Sequence, residues 1–463
     1  MPNFETVNIK SVAARLSVVV AAMILLFPPD MLSSLEVKAA ALMVVTIGFW
    51  ATGIIPEHIT ALLFFLLAMF FSISPPDVVF AGFASTAVWL VFGGLVIGVA
   101  ITATGLGKRV ANRVALQLEG EYPKIIGGLV LVGILFSFVM PSAMGRVVLL
   151  TPIAMSIADH FGFPKGSNGR TGVLLATILG SYMSAFAILP ANVPNMVLIG
   201  MAETQYGISP LYGSYFLLHF PVLGLLKALL VAGLIVWFYP DKPNVSVRPA
   251  MLKKEGMSGH EYLLSATLLV LLALWMTDFA HHISPAWITL GGAIFLLFPG
   301  IEIVSKQQFN QKINWASLFF VAGILGLGGV INHTGLGHTL ARQLLSMLPL
   351  DAQNDFLNFA SIAFASTVTG IVTTLPGVPA VFTPLSEGIS QATGMELQAV
   401  IMMQVLGFST PVLPYQAPPI IIGMQLAGEK FSSAVKLCVV LAALTLLFLL
   451  PVNYVWWKIV GWI

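Results

Sequence analysis

The chain has 463 residues, 58% of them hydrophobic and 9% charged, with a mean hydropathy of +0.95. That composition excludes a soluble globular protein and indicates a polytopic membrane protein. The net charge of +2 points to no acidic partner and no nucleic acid, and the single Cys438 excludes an intrachain disulfide.

A bilayer core needs about 20 apolar residues per helix. The first half then yields spans at 12–28, 37–55, 58–73, 86–105, 171–203 and 214–238. The first of these follows Lys10 without a small-residue cleavage site before Pro28-Pro29, so it reads as a retained helix rather than a signal peptide. The second half yields 262–280, 284–300, 315–334, 395–425 and 433–455, for eleven crossings in an all-α membrane fold.

Two further apolar pairs do not read as spans. Segments 125–139 and 147–158 flank Met140-Pro141-Ser142-Ala143-Met144-Gly145-Arg146, and segments 356–372 and 380–389 flank Thr373-Thr374-Leu375-Pro376-Gly377-Val378-Pro379. Arms of about half a bilayer, joined by a Pro/Gly-rich tip, predict two re-entrant hairpins.

The halves are copies of one another. Gly93 to Gly107 reads GGLVIGVAITATGLG and Gly323 to Gly337 reads GILGLGGVINHTGLG; Ile59-Thr60 is echoed by Ile288-Thr289, and Leu189-Pro190 by Leu413-Pro414. A duplication of membrane segments with paired interruptions marks a secondary transporter. Each copy holds five crossings, an odd number, so the second is inverted relative to the first. With a cytoplasmic N-terminus the cytoplasmic side collects 16 basic residues, among them Lys10, Lys108, Arg109, Arg248, Lys253, Lys254 and Lys312, while the outer side keeps Lys38, Arg342 and Lys458. That bias orients the chain with its C-terminus outside and Trp456, Trp457 and Trp462 as an interfacial belt. The polar connector 241–260 joins the copies.

The spans at 171–203 and 395–425 are themselves interrupted, by Leu189-Pro190-Ala191-Asn192-Val193-Pro194-Asn195 and by Ser409-Thr410-Pro411-Val412-Leu413-Pro414-Tyr415-Gln416-Ala417-Pro418-Pro419. Proline removes a donor and frees a carbonyl, and such groups persist at membrane depth only inside protein or along a watery cavity. Two tips and two breaks therefore predict one site near the midplane, with helix N-termini suited to an anion and freed carbonyls suited to a small cation.

The run Trp50-Ala51-Thr52-Gly53-Ile54-Ile55-Pro56 followed by Ile59-Thr60-Ala61-Leu62-Leu63, the two TGLG helices, and Trp275 through His281 to Leu297-Phe298-Pro299-Gly300 resemble the divalent anion/sodium symporters of the ion transporter superfamily. The resemblance covers nearly the whole chain. It implies a homodimer with a fixed scaffold (residues 1–111 and 240–354) and a mobile transport domain (112–239 and 355–463). That domain would move as an elevator, carrying di- or tricarboxylates or sulfate, usually with sodium. In that family both tips carry Ser-Asn-Thr. Here those positions read Ser142-Ala143-Met144 and Thr374-Leu375-Pro376, so only the first hydroxyl survives in each.

The candidate substrate site is therefore Ser142, Ala143, Met144, Gly145, Arg146, Asn192, Asn195, Thr373, Thr374, Pro376, Gly377, Thr410, Tyr415 and Gln416. Ser142, Asn192, Thr374 and Ser409 are the candidate sodium ligands. Arg146, a fixed charge in an apolar segment, is by default a functional residue; it is expected to stand partly in place of the first sodium and to grip an anion through its fork. Lys227, in a helix read as starting at Pro221, is expected to snorkel outward. Glu57-His58 reads as a solvated turn and His281-His282 as an outer loop.

The expected function is secondary active transport of a small organic anion, a di- or tricarboxylate or a sulfonate, coupled to sodium, in a bacterial inner membrane. The alternatives are an anion exchanger, a proton-coupled carrier or an inorganic oxyanion permease of the same superfamily. No HExxH, GxSxG or paired membrane carboxylates suggest an enzyme, and no cofactor is expected beyond sodium as coupling ion.

Overall fold

A computed structural model describes residues 9–115, 121–243 and 256–463. Lys10 as a side chain, and Arg248, Lys253 and Lys254 of the connector, lie outside the described residues. Every regular element among the described residues is helical, and eight helices are long and apolar enough to cross a membrane. The protein is an all-α polytopic membrane protein.

The two copies are interlocked rather than side by side. Helix Thr86–Thr104 of the first copy packs on Pro285–Leu297 of the second, and Trp315–His333 of the second packs on Glu57–Phe70 of the first. The repeated glycines make both crossings. A Cβ on Gly93 would come within 2.7 Å of the Thr289 methyl, and one on Gly323 within 2.6 Å of the Ala61 Cβ. This is small-residue packing between membrane helices, where close backbone approach supplies van der Waals contact that lipid would otherwise match.

Each TGLG motif ends its helix in a left-handed glycine, Gly105 at φ 78° and Gly335 at φ 82°, a conformation that a side chain would strain. The chain then turns into a short amphipathic helix, Leu106–Ala115 and Leu336–Met347 respectively. Hydropathy alone gave no sign of these two helices.

The hairpin arms are longer than the apolar runs suggested. Tyr122–Val139, Ala143–His160 and Asp355–Val372 have 18 residues each, about 27 Å at 1.5 Å per residue, and the first and third are long and apolar enough to cross. Helix starts again at Ala143, so Met144, Gly145 and Arg146 belong to its first turn and not to the tip. The fourth arm is broken into Gly377–Phe382, a 3-10 turn at Thr383–Leu385 and Ser386–Thr393.

The long interrupted spans divide as their prolines require, into Asn168–Met183 and Val193–Tyr206, and into Leu397–Phe408 and Pro418–Ala427. Each first piece packs through a glycine on the helix that precedes the tip of its own copy. Gly133 lies against the backbone of Gly180 and Ser181, and Gly407 against Ser366 and Thr367. The second pieces cross over: Pro418–Ala427 packs on Ala143–His160 and Asn168–Met183, whereas Val193–Tyr206 packs on Trp315–His333 and Gly377–Phe382. Both tips and both breaks are thereby drawn to one place. The last helices of the copies, 212–238 and 431–459, each contain a π-helical segment, Phe220–Leu226 and Thr445–Leu449. Trp457 is not interfacial: it is fully buried against His219 and Phe359.

Candidate functional site

A cavity of about 590 Å³ is lined by Met140 to Ser142 of the first tip and Ala143 to Gly145 of the helix that follows it, Asn192 to Pro194 of the first break, Thr374 and Pro376 of the second tip, and Gln416, Pro418 and Pro419 of the second break. Its remaining wall is the face of Thr86–Thr104 that carries Gly94 and Gly98, together with Tyr182 and Met196. Glu57, Gln308, Lys312 and Asn314 also line it; all four but Gln308 are exposed and Gln308 is half-buried, so they form a polar mouth. Glu57 thus belongs to the cavity and is not merely a solvated turn residue.

Three helices of ten or more residues begin at this cavity. Ser142 caps Ala143–His160, its Oγ accepting from the Gly145 N–H at 3.1 Å. Asn192 caps Val193–Tyr206, its Oδ1 accepting from the Asn195 N–H at 3.1 Å. Pro418 and Pro419 open Pro418–Ala427 at positions where a missing N–H costs nothing. Helix N-termini carry the positive end of the macrodipole and exposed N–H groups, so their convergence favours a negative ligand.

The two polar residues of the breaks are used alike. Gln416 Oε1 accepts from the Leu413 N–H at 2.8 Å, as Asn192 Oδ1 accepts from Asn195. A carboxamide whose oxygen takes a backbone N–H must aim its NH₂ the other way. Both NH₂ groups, Asn192 Nδ2 and Gln416 Nε2, have no partner, although the residues are only 2% and 1% exposed and both line the cavity. Buried donors without acceptors cost about 1–3 kcal/mol each, a penalty that an anion's oxygens would remove.

Of the other expected site residues, Ser142, Ala143, Met144, Gly145, Thr374 and Pro376 line the cavity, and seven do not. Asn195 is buried behind the wall, its Nδ2 donating to Ala185 O at 3.1 Å and Ile188 O at 2.9 Å. Thr373 bonds its own helix at Thr369 O, 2.8 Å, and Gly377 is buried beside Thr373. Tyr415 is 42% exposed, with its hydroxyl donating to Ile371 O at 2.5 Å. Ser409 and Thr410 are buried and bond back to Leu406 O. The four candidate sodium ligands are therefore not gathered, because Ser409 stands behind the wall that Ser142, Asn192 and Thr374 share.

Arg146 is fully buried one residue behind the cavity wall. Its guanidinium donates to Met140 O of the first tip, to Ala191 O of the first break at 3.0 Å and to Ser181 O at 3.1 Å. Both terminal nitrogens are thus engaged by backbone carbonyls, Nε has no partner, and the side chain does not line the cavity. Lys227 does not snorkel. It is fully buried, directly after the π-helical segment Phe220–Leu226, and its Nζ donates to Ser409 O at 2.6 Å with Thr410 Oγ1 at 3.4 Å. Sequence reasoning missed this contact; the signal that could have found it was Pro221, since a proline inside a helix can displace the register and re-aim the side chains that follow.

Comparison with known proteins agrees with this architecture. Residues 9–463 match the family model described as the sodium:sulfate symporter transmembrane region. The chain is 24% identical to a membrane protein of Cupriavidus necator, over 83% of this chain and 77% of the relative. It is 23% identical to an uncharacterized transporter of Haemophilus influenzae, over 82% of each, and 25% identical to the inner membrane protein YbhI of Escherichia coli, over 83% of each. In fold it is similar to the YdaH transporter of Alcanivorax borkumensis, whose topology is described as unusual, with a TM-score of 0.54 at 14% identity over 98% of both chains. This chain is an integral membrane transporter and belongs to the sodium:sulfate symporter family, the divalent anion/sodium symporters.

Proposed function

We propose that the protein is a secondary active carrier for a small organic anion, of the di- or tricarboxylate or sulfonate type, held in the cavity between the two tips and the two breaks. The observation that carries this reading is the pair of unpartnered amide donors, Asn192 Nδ2 and Gln416 Nε2, in the wall of a cavity ringed by helix N-termini. A carboxylate or sulfonate offers several acceptor oxygens at once, and charge-assisted bonds to them are about twice as strong as neutral ones. The volume of about 590 Å³ lies within the ordinary range of small-molecule sites.

Alternating access would follow from sliding the tip-and-break domain along the glycine face of Thr86–Thr104, within a homodimer whose scaffold stays fixed. With the basic residues on the cytoplasmic side, the mouth at Glu57, Gln308 and Lys312 opens inward. The test is a thermal-shift screen of the purified protein against mono-, di- and tricarboxylates, sulfate and sulfonates, followed by counterflow of the best ligand in liposomes. A ligand of the native state raises stability by RT ln(1 + [L]/Kd). The reading expects a stabilising dianion whose flux saturates; a flux that rises linearly with concentration and shows no counterflow would instead describe a channel.

A further inference from the structure

Each helix break frees carbonyl oxygens that a coupling cation would be expected to use, and in this chain both sets are already held by side-chain cations. At the first break and tip the guanidinium of Arg146 takes Met140 O, Ala191 O and Ser181 O. At the second break the ammonium of Lys227 takes Ser409 O, with Thr410 Oγ1 beside it. Both residues are fully buried. Among the described residues neither is ion-paired with a carboxylate. A buried charge without a counterion costs several kcal/mol, so its retention at both breaks calls for a compensating ligand. The cavity offers a place for one, since its wall includes Gly145 next to Arg146, Asn192 next to Ala191, and Gln416 of the same break as the Ser409 that Lys227 holds.

We infer that Arg146 and Lys227 are built-in counterions that replace bound sodium at the two breaks, so that the protein takes a divalent anion without a sodium ion. The inference rests on the anion-carrier reading and deepens it. The two residues suit the role differently. Guanidinium is planar and always charged, which fits three carbonyls from three chain segments; the ammonium is a compact point charge, which fits one carbonyl and one hydroxyl. Since neither residue lines the cavity, both cations act on the anion through the field and not by contact. Direct hydrogen bonding falls to Asn192 and Gln416.

The test uses sodium itself and no anion, so it is independent of whether the right substrate is in hand. The melting temperature of the purified full chain is measured in sodium chloride and in choline chloride at equal ionic strength. Wild type is expected to melt identically in both. Arg146→Ser vacates three carbonyls and Lys227→Ser one carbonyl and one hydroxyl, and each variant is expected to acquire a saturable stabilisation by sodium that choline does not give. A saturable sodium-specific rise in the wild type would overturn the inference, as would serine variants that fold and remain blind to sodium. If the variants do not fold, the wild-type comparison decides. Failure of the carrier reading would show separately, as the absence of any stabilising anion in the thermal-shift screen.

Discussion

A Cβ on Gly94 would stand 2.8 Å from the Cβ of Pro141, so the absence of a side chain at Gly94 is what lets the first tip lie against Thr86–Thr104. Real Cβ atoms do not approach so closely, and neither a helix backbone nor a proline ring yields easily. Gly94→Val should therefore wedge the tip away from the helix. Overpacking of this kind costs about 1–3 kcal/mol, borne at a contact that must slide if the domain moves. The variant is expected to insert and to keep its oligomeric state on size exclusion while uptake falls at least about tenfold. Normal uptake by Gly94→Val would mean that this face is not a sliding surface.

Asn192 does two things at once: its oxygen caps Val193–Tyr206, and it lines the cavity with an unpartnered, buried NH₂. Asparagine and aspartate are comparable N-caps. Asn192→Asp is therefore expected to keep the melting temperature of the unliganded protein while removing the donor and adding a repelling charge, with anion affinity falling beyond measurement. Asn192→Ala should lose roughly 1 kcal/mol of stability through the cap and also weaken binding. Binding by the aspartate variant at wild-type strength would remove Asn192 from the site.

Gln416 supplies the matching donor from the other half of the chain. A hydrogen bond to a charged group contributes about 1.5–3 kcal/mol, so Gln416→Ala should weaken anion binding by roughly 10- to 150-fold. Isothermal titration of the best ligand measures this directly. A change under about threefold, worth some 0.6 kcal/mol, would leave Gln416 holding only its own loop at Leu413.

The architecture was legible in the sequence because the signals that specify it are local. The doubled TGLG motif, the paired prolines and the apolar runs each act within a few residues of where they stand. Asn192, Gln416 and the tip residues Ser142 and Thr374 were found because polar groups beside helix-breaking prolines need a cavity. Arg146 misled on extent, since hydropathy treats an arginine as the end of an apolar arm. In the fold its guanidinium donates to the Met140, Ala191 and Ser181 carbonyls and the helix runs through it. Lys227 misled on direction. Its partner Ser409 is remote in sequence, and only the packing of the last helix of one copy against the break of the other joins them. Tyr415 was named for its neighbourhood, yet a residue next to a break faces in or out according to turn geometry that composition does not reveal.

Fixed counterions also constrain the transport cycle. A sodium-coupled carrier releases its cations with its substrate and returns with a neutral site. Arg146 and Lys227 cannot leave, so an empty carrier must reorient with two buried positive charges and no anion to offset them. The desolvation penalty is several kcal/mol per ion even after relaxation, whereas the carrier loaded with a divalent anion is close to neutral. The loaded form should therefore cross far more readily than the empty one. Labelled anion is expected to enter liposomes preloaded with the same unlabelled anion at least about tenfold faster than it enters empty ones, equivalent to roughly 1.4 kcal/mol in barrier height. Lys227→Met, which removes one charge at similar length, should narrow that gap by speeding return of the empty carrier. Equal entry rates into preloaded and empty liposomes would show that the buried charges impose no such barrier.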